Sequence, residues 1–244
     1  MNGRASVLAA LALATARAPA DLPLAERLCR ACVEVLGAQG GSITLASTSP
    51  ERLTLDSSDG TSARIEDLQE VLGEGPGQDA FSQGTAVVAY IDGAHGGPFP
   101  MFTELAGDIA GPVTVWAIPM HPAGTTIGVI TLYRATGDLQ YSLEDAQFLA
   151  DAVGAALLDD SSSGHPFAAW SDRARVHQAV GMTVAQLTIG PADALAILRA
   201  HAFAEGTSLD SIATDVVERR LDFTNQAQGV IQHRPEDISG NGDS

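Results

Sequence analysis

The stretch VTVWAIPMHPAGTTIGVITLYR, residues 113–134, decides the fold. It holds two β-branched, apolar runs, Val113–Met120 and residues 126–134, separated by a turn at residues 122–124 that contains Pro122 and Gly124. Two such runs across a short Pro/Gly turn predict adjacent antiparallel strands. Just downstream, Ser142-x-x-Asp145 is a capping-box-like start for a helix expected to reach Leu158. Within it Leu143, Ala146, Ala150, Val153 and Leu157 recur at three- and four-residue steps, a heptad-like seam suited to a partner helix. Antiparallel strands closed by an amphipathic helix predict an α+β sheet domain covered by helices.

Upstream of that hairpin the same alternation continues. Residues 86–91 (AVVAYI) read as a strand and residues 101–110 as a short helix. Residues 62–72 return to helical spacing with Ile65, Leu68 and Leu72 on one face. SITLA (42–46) and RLTL (52–55) alternate like paired strands across a turn containing Pro50. Leu24–Leu36 is an apolar-periodic helix that carries both cysteines, Cys29 and Cys32. A structural zinc site normally takes four ligands, so the pair is expected to pack in the core. The first residues, Arg4 followed by SVLAALALATARA, have two readings. One is a short signal peptide; the other, which we favour, is an Ala/Leu helix packed on the sheet domain or on a partner subunit. The apolar run is short of the ~20 residues that span a bilayer.

Downstream, DDSSSGHP (159–166) reads as a polar linker. The remainder has no strand signal. A helix is expected over 167–187 with Val176, Val180, Thr183 and Leu187 on a face. Gly190-Pro191 ends it and opens a second helix over 192–205, with Leu195, Leu198 and Ala202 inward and Gly206 as its stop. Ser208 caps a third, whose buried stripe is Leu209, Ile212, Ala213, Val216 and Val217. The expected organisation is therefore a sheet domain at 1–158, a linker at 159–166, a three-helix bundle at 167–223 and a disordered tail at 224–244.

Composition narrows the function. The chain has 13 basic and 30 acidic residues in 244, a net charge of −17, and every basic residue is arginine. Residues 1–164 hold 7 Arg and 20 acids, so the acidic excess lies mostly upstream. Such a field opposes casual contact with phosphate backbones, and any nucleic-acid function needs a local Arg cluster. The GEGPG segment (73–77) is read as a tight turn rather than a phosphate loop: Pro76 has no amide to donate and Glu74 repels anions. No H-E-x-x-H, G-x-S-x-G or G-x-x-x-x-G-K-[ST] motif occurs, which leaves an enzymatic reading without support. His95 and His121 fall in apparent loops and are expected to be solvated rather than ligands. Trp116, Tyr133 and Phe81 are expected in the core, some lining a cavity. No metal and no cofactor is expected.

The segment Arg173–Leu221 resembles the ANTAR family, RNA-binding output domains of antitermination regulators. Val176, Gln178-Ala179, Gly181-Met182, Ala194, Leu198-Arg199, Ala202, Ile212-Ala213 and Val216-Val217 carry the likeness. Residues from about Val7 to Leu158 resemble the GAF sensor domains that precede such modules, through LCRACVEVLGAQGGSITL, LGEGPGQDAF, VWAIPM and IGVITLYR. The resemblance implies a cytoplasmic homodimer whose sensor, with a small-molecule ligand that the sequence does not identify, gates binding of paired RNA hairpins. It implies an RNA platform of Arg173, Arg175, Gln178, Gly181, Arg199, Arg219 and Arg220. Gly181 has two readings, close approach to a base or tight helix packing. The chain departs from the family pattern at Val180, where many members carry Lys, and at Asp210, Thr214 and Asp222 in and after the third helix. Those departures keep a second reading open, a dimerisation or protein-interaction scaffold that has lost RNA binding.

Overall fold

A computed structural model describes residues 3–46, 52–93, 97–162 and 170–223. The chain divides into two compact units, Met1–Arg173 and Ala174–Ser244.

The first unit opens with α1 (Gly3–Arg17) and α2 (Leu24–Leu36), then β1 (Gly40–Ala46) and β2 (Arg52–Ser57). It continues through α3 (Gly60–Leu72), α4 (Pro76–Gln83), β3 (Val87–Ile91), α5 (Pro100–Ala110), β4 (Val113–Met120) and β5 (Gly128–Arg134), and closes with α6 (Leu143–Ser162). The strands form one antiparallel sheet in the order β2-β1-β5-β4-β3. The hairpin read from residues 113–134 is β4 and β5, with Ile118 opposite Ile130 and Trp116 opposite Leu132. β5 begins two residues later than the alternation suggested, at Gly128.

Side chains alternate across the sheet. One face presents Ile43, Trp116, Ile118, Met120, Ile130 and Leu132, which pack with α2 and α6. The other presents Val113 and Val115 to α3 and α5, and Ala117 and Val129 to α4. α1 lies against α2 and α6, with Val7, Leu11 and Ala14 buried. The N-terminal run thus forms a helix packed on the chain's own sheet domain. α6 starts as expected: the Asp145 N–H donates to Ser142 Oγ at 3.1 Å and the Ser142 hydroxyl donates to the Asp145 carboxylate at 2.8 Å. Its seam of Ala146, Ala150, Val153 and Leu157 is buried in the same core as α1, α2 and the sheet, so the chain fills that seam itself. Leu143, the first member, stays exposed. α6 also runs on to Ser162, so the segment expected to start the linker at 159 is helical over 159–162. Residues 163–169 and the tail at 224–244 lie outside the described residues.

Both cysteines are free and buried in the core. Burial pushes the Cys32 thiol up to about 12 and the Cys29 thiol higher still, so neither forms the reactive thiolate at neutral pH.

The second unit holds the greater part of α7 (Trp170–Leu187), then α8 (Pro191–Glu205) and α9 (Leu209–Val217). Pro191 occupies the first turn of α8, where its missing N–H costs nothing, and Gly206 ends that helix at φ 61°. The Ser208 side chain accepts from the Ser211 N–H at 3.2 Å and caps α9. Val176, Ala179, Val180 and Thr183 of α7 are buried, as are Ala194, Leu195, Leu198 and Ala202 of α8 and Leu209, Ile212, Ala213 and Val216 of α9. Among the described residues no single helix is long and apolar enough to cross a membrane.

Candidate functional site

The residues singled out for RNA contact fall into distinct environments. On α7, Arg175, Gln178 and Gly181 are all exposed, three residues apart on one stripe of the helix. A Cβ added at Gly181 would meet no described atom within 4 Å. Packing inside the unit therefore gives no reason for a glycine there, although glycine in a helix interior costs roughly 0.5–1 kcal/mol relative to alanine. Val180, by contrast, is buried, so its apolar side chain serves the core and not the exposed stripe.

Arg175 reaches across to α9, its Nη1 donating to Thr214 Oγ1 at 3.5 Å. Thr214 in turn donates to the Asp210 carbonyl at 2.8 Å. Arg219 and Arg220 follow the end of α9. These two differ. Arg219 is exposed, and its backbone takes a left-handed φ of 59° as the helix unwinds. Arg220 is held by Asp215 Oδ1 at 2.6 Å and also pairs with Glu218, so its charge is already compensated locally. Arg199 is half-buried on α8. Arg173 falls within α7, but its side chain lies outside the described residues. The structure thus brings Arg175, Gln178 and Gly181 onto one stripe of α7. Arg219 is exposed after α9, Arg220 is paired with Asp215 and Glu218, and Arg199 is half-buried on α8.

Two features of this unit carried no sequence signal. His201 stacks on Phe223 with ring centroids 4.9 Å apart, and the Phe223 N–H donates to Gln186 Oε1 at 3.1 Å. Together they clamp the segment after α9 back onto the bundle.

In the first unit, the side of the sheet under α3 and α4 is polar inside. Ser42, Glu66, Gln69 and Thr131 are buried, and the Ser42 hydroxyl donates to Glu66 Oε1 at 2.8 Å. Gln69 Oε1 accepts from the Gly77 N–H at 2.6 Å, tying α3 to the first turn of α4. That bond explains GEGPG: the turn exists to start α4, with Pro76 at its N-terminus and Gly75 at φ 139°. Gln69 Nε2 and Thr131 Oγ1 are buried with no hydrogen-bond partner among the described residues. Asp56 Oδ2 and Ser57 Oγ in the same unit share that condition. Tyr133, which donates to Asp59 at 3.0 Å, has its hydroxyl held above the ordinary tyrosine range by burial and by that carboxylate.

On the opposite side of the sheet a cavity of about 410 Å³ opens beside Trp116, lined by residues 138–143. His121 is not directed to a ligand: its Nδ1 and its backbone N–H both contact Asp151 Oδ1, at 2.9 and 3.0 Å. His95 lies outside the described residues. Among the described residues no group of three or more His, Cys, Asp or Glu is placed to hold a metal ion.

The GAF domain family model matches residues 24–157, more than half of the chain. The chain belongs to the GAF family. An ANTAR domain follows at residues 168–217 in this GAF protein. Both are sensory and regulatory domain classes rather than catalytic families, which makes the GAF–ANTAR chain a signal-sensing regulator. No curated protein matches it. Among solved structures it is similar to the A. aeolicus nlh2 GAF domain in an inactive state, at 16% identity over 63% of this chain and 91% of that one, TM-score 0.43. It is similar to the Stigmatella aurantiaca phytochrome photosensory core module at 13% identity, over 81% of this chain and 44% of that one, TM-score 0.42. It also matches an RNA-binding light-oxygen-voltage receptor at 17% identity, over 74% of this chain and 47% of that one, TM-score 0.21.

Proposed function

We propose that this GAF–ANTAR chain regulates gene expression by binding RNA hairpins through α7 and the end of α9, with the GAF unit gating that binding. The observation that carries the reading is the exposed stripe Arg175–Gln178–Gly181. It offers a cation, a hydrogen-bonding amide and a bare backbone in sequence, which suits splayed loop bases flanked by phosphates. Arg219, after the end of α9, adds a second exposed cation in the same unit. Transcription antitermination is the output such binding would produce, and the chain is expected to act as a cytoplasmic homodimer.

The test is a titration of the purified full chain against a tandem-hairpin RNA and a scrambled control, at about 50 and 200 mM salt, a range over which several phosphate contacts change affinity by orders of magnitude. Selective binding that weakens with salt supports the reading, and equal binding of both RNAs removes it. Gly181→Ala sharpens the result. Alanine should stabilise the ANTAR unit by about 0.5–1 kcal/mol, because glycine is the poorer helix former. The same substitution should weaken hairpin binding by about tenfold or more, a loss of roughly 1.4 kcal/mol. Binding unchanged by the added methyl would take Gly181 out of the contact.

The second reading, a protein-interaction module with no RNA function, draws on the compensation of Arg220 by Asp215 and Glu218 and on the net charge of −17. It predicts a folded chain that binds neither RNA.

A further inference from the structure

The two edges of the GAF sheet are built differently. β2 carries Arg52 and Asp56, and its pairing with β1 is irregular between Ile43 and Thr44. Charges and bulges are the usual means by which an edge strand avoids pairing with another chain. β3, the opposite edge, has neither. Its sequence VVAYI holds no charge and no proline, and its pairing with β4 is regular from Val87 to Ile91. Val87, Ala89 and Ile91 turn inward to the core shared with α3 and α5. Val88 and Tyr90 point the other way, 51% and 61% exposed. Val88 stands opposite Trp116 in the register, so both lie on the sheet face that carries the cavity lined by residues 138–143. Leu143, at the start of α6, is a further exposed apolar group on the rim of that cavity.

We propose that β3 pairs antiparallel with β3 of a second copy of this chain, joining two GAF sheets into one. The strand's own sequence argues for that occupant. A two-fold axis at Ala89 sets Ala89 against its twin and Val88 against Tyr90 of the other copy, twice, on the exposed face. Aromatic–β-branched pairs of this kind are among the favourable cross-strand contacts. In the same register Asp92 falls opposite Ala86, so no like charges meet at the seam of two chains that each carry −17. The contact is isologous, and pairing consumes both unprotected edges. A five-residue strand buries less than the ~1,200 Å² of a standard stable interface, so the dimer is a concentration-dependent one.

Sedimentation velocity of the full chain over about 1–100 μM should show a monomer–dimer equilibrium that tightens as salt rises, because screening relieves repulsion between like-charged copies. Val88→Lys with Tyr90→Lys should weaken that equilibrium by about 30-fold or more, since lysine on an edge opposes pairing. Both sites are exposed, so the melting temperature should hold. Ala89→Cys supplies the geometric check. Facing Cα atoms in an antiparallel pair lie about 4.5–5.5 Å apart, within disulfide range. Cys29 and Cys32 are buried in the other core, so the half-buried thiol at position 89 can pair only with its twin across the seam, and mild oxidation should link two copies in the single variant but not alongside the two lysines. A chain that stays monomeric throughout, a dimer that survives the lysine pair, or an Ala89→Cys chain that dimerises without cross-linking would each overturn the proposal.

Discussion

Arg175→Glu combined with Arg219→Glu will weaken hairpin RNA binding on the order of 100-fold at near-physiological salt, and will reduce the salt slope by about two. Both side chains are exposed, and they belong to elements that the Arg175–Thr214 contact ties together. In a chain of net charge −17, phosphate affinity rests on a few exposed cations, so reversing two of them removes attraction and adds repulsion. Stability should change little, because exposed substitutions away from buried networks usually fall within about 0.5 kcal/mol. Arg220→Ala is the informative comparison. With Asp215 and Glu218 on its guanidinium, it should alter RNA affinity less than about threefold, an exposed and paired charge contributing well under 1 kcal/mol. If all three arginines matter equally, the clamp on Arg220 opens on binding. If none matters, the RNA reading fails and the interaction-module reading takes its place.

The spacing of arginines is visible in a string of letters, but their compensation is not. Arg219 and Arg220 look equivalent until the chain turns at φ 59° and sends one of them onto two acids. Val180 illustrates the reverse: it reads as a lost cation, and its burial explains the valine by packing. Boundaries were legible wherever local chemistry decides them. Leu24–Leu36 was read to the residue because its apolar period is clean and Gly37 follows at φ 70°. The Ser142 and Ser208 caps were legible for the same reason. On α3, the apolar stripe Ile65–Leu68–Leu72 pointed roughly inward, yet the most buried positions include Ser62, Glu66 and Gln69. Periodicity of apolar residues cannot register a buried polar face: Glu66 and Gln69 are inside through tertiary hydrogen bonds to Ser42 and Gly77, and Ser62 bonds the Asp59 cap. The seam on α6 was visible, but not its partners, which come from distant parts of the same chain.

The N-terminal helix is the sharpest case, and it yields the second large effect. SVLAALALATARA is apolar on nearly every side, so the sequence leaves its inward face undetermined. The structure chooses Val7, Leu11 and Ala14, at steps of four and three, and leaves Leu13 outside at 54% exposure. Arg4 pairs with Glu144 at 2.6 Å and lies 5.2 Å above the Phe148 ring, which fixes the start of α1 against the start of α6. That exposed pair adds little stability, so the apolar stripe holds the helix. Val7→Asp should therefore cost about 3–5 kcal/mol, the penalty for an unpaired charge in a packed site. For a chain of this size that is about a 10 °C fall in melting temperature. Leu13→Asp, six residues along the same helix, should leave the melting temperature within about 2 °C, as surface changes do. A thermal melt of the two variants separates the possibilities. Equal, small effects would mean that α1 is dispensable to the GAF unit. A large loss confined to Val7 would mean that the first helix is a structural layer of the sensor, fixed by contacts that only the fold supplies.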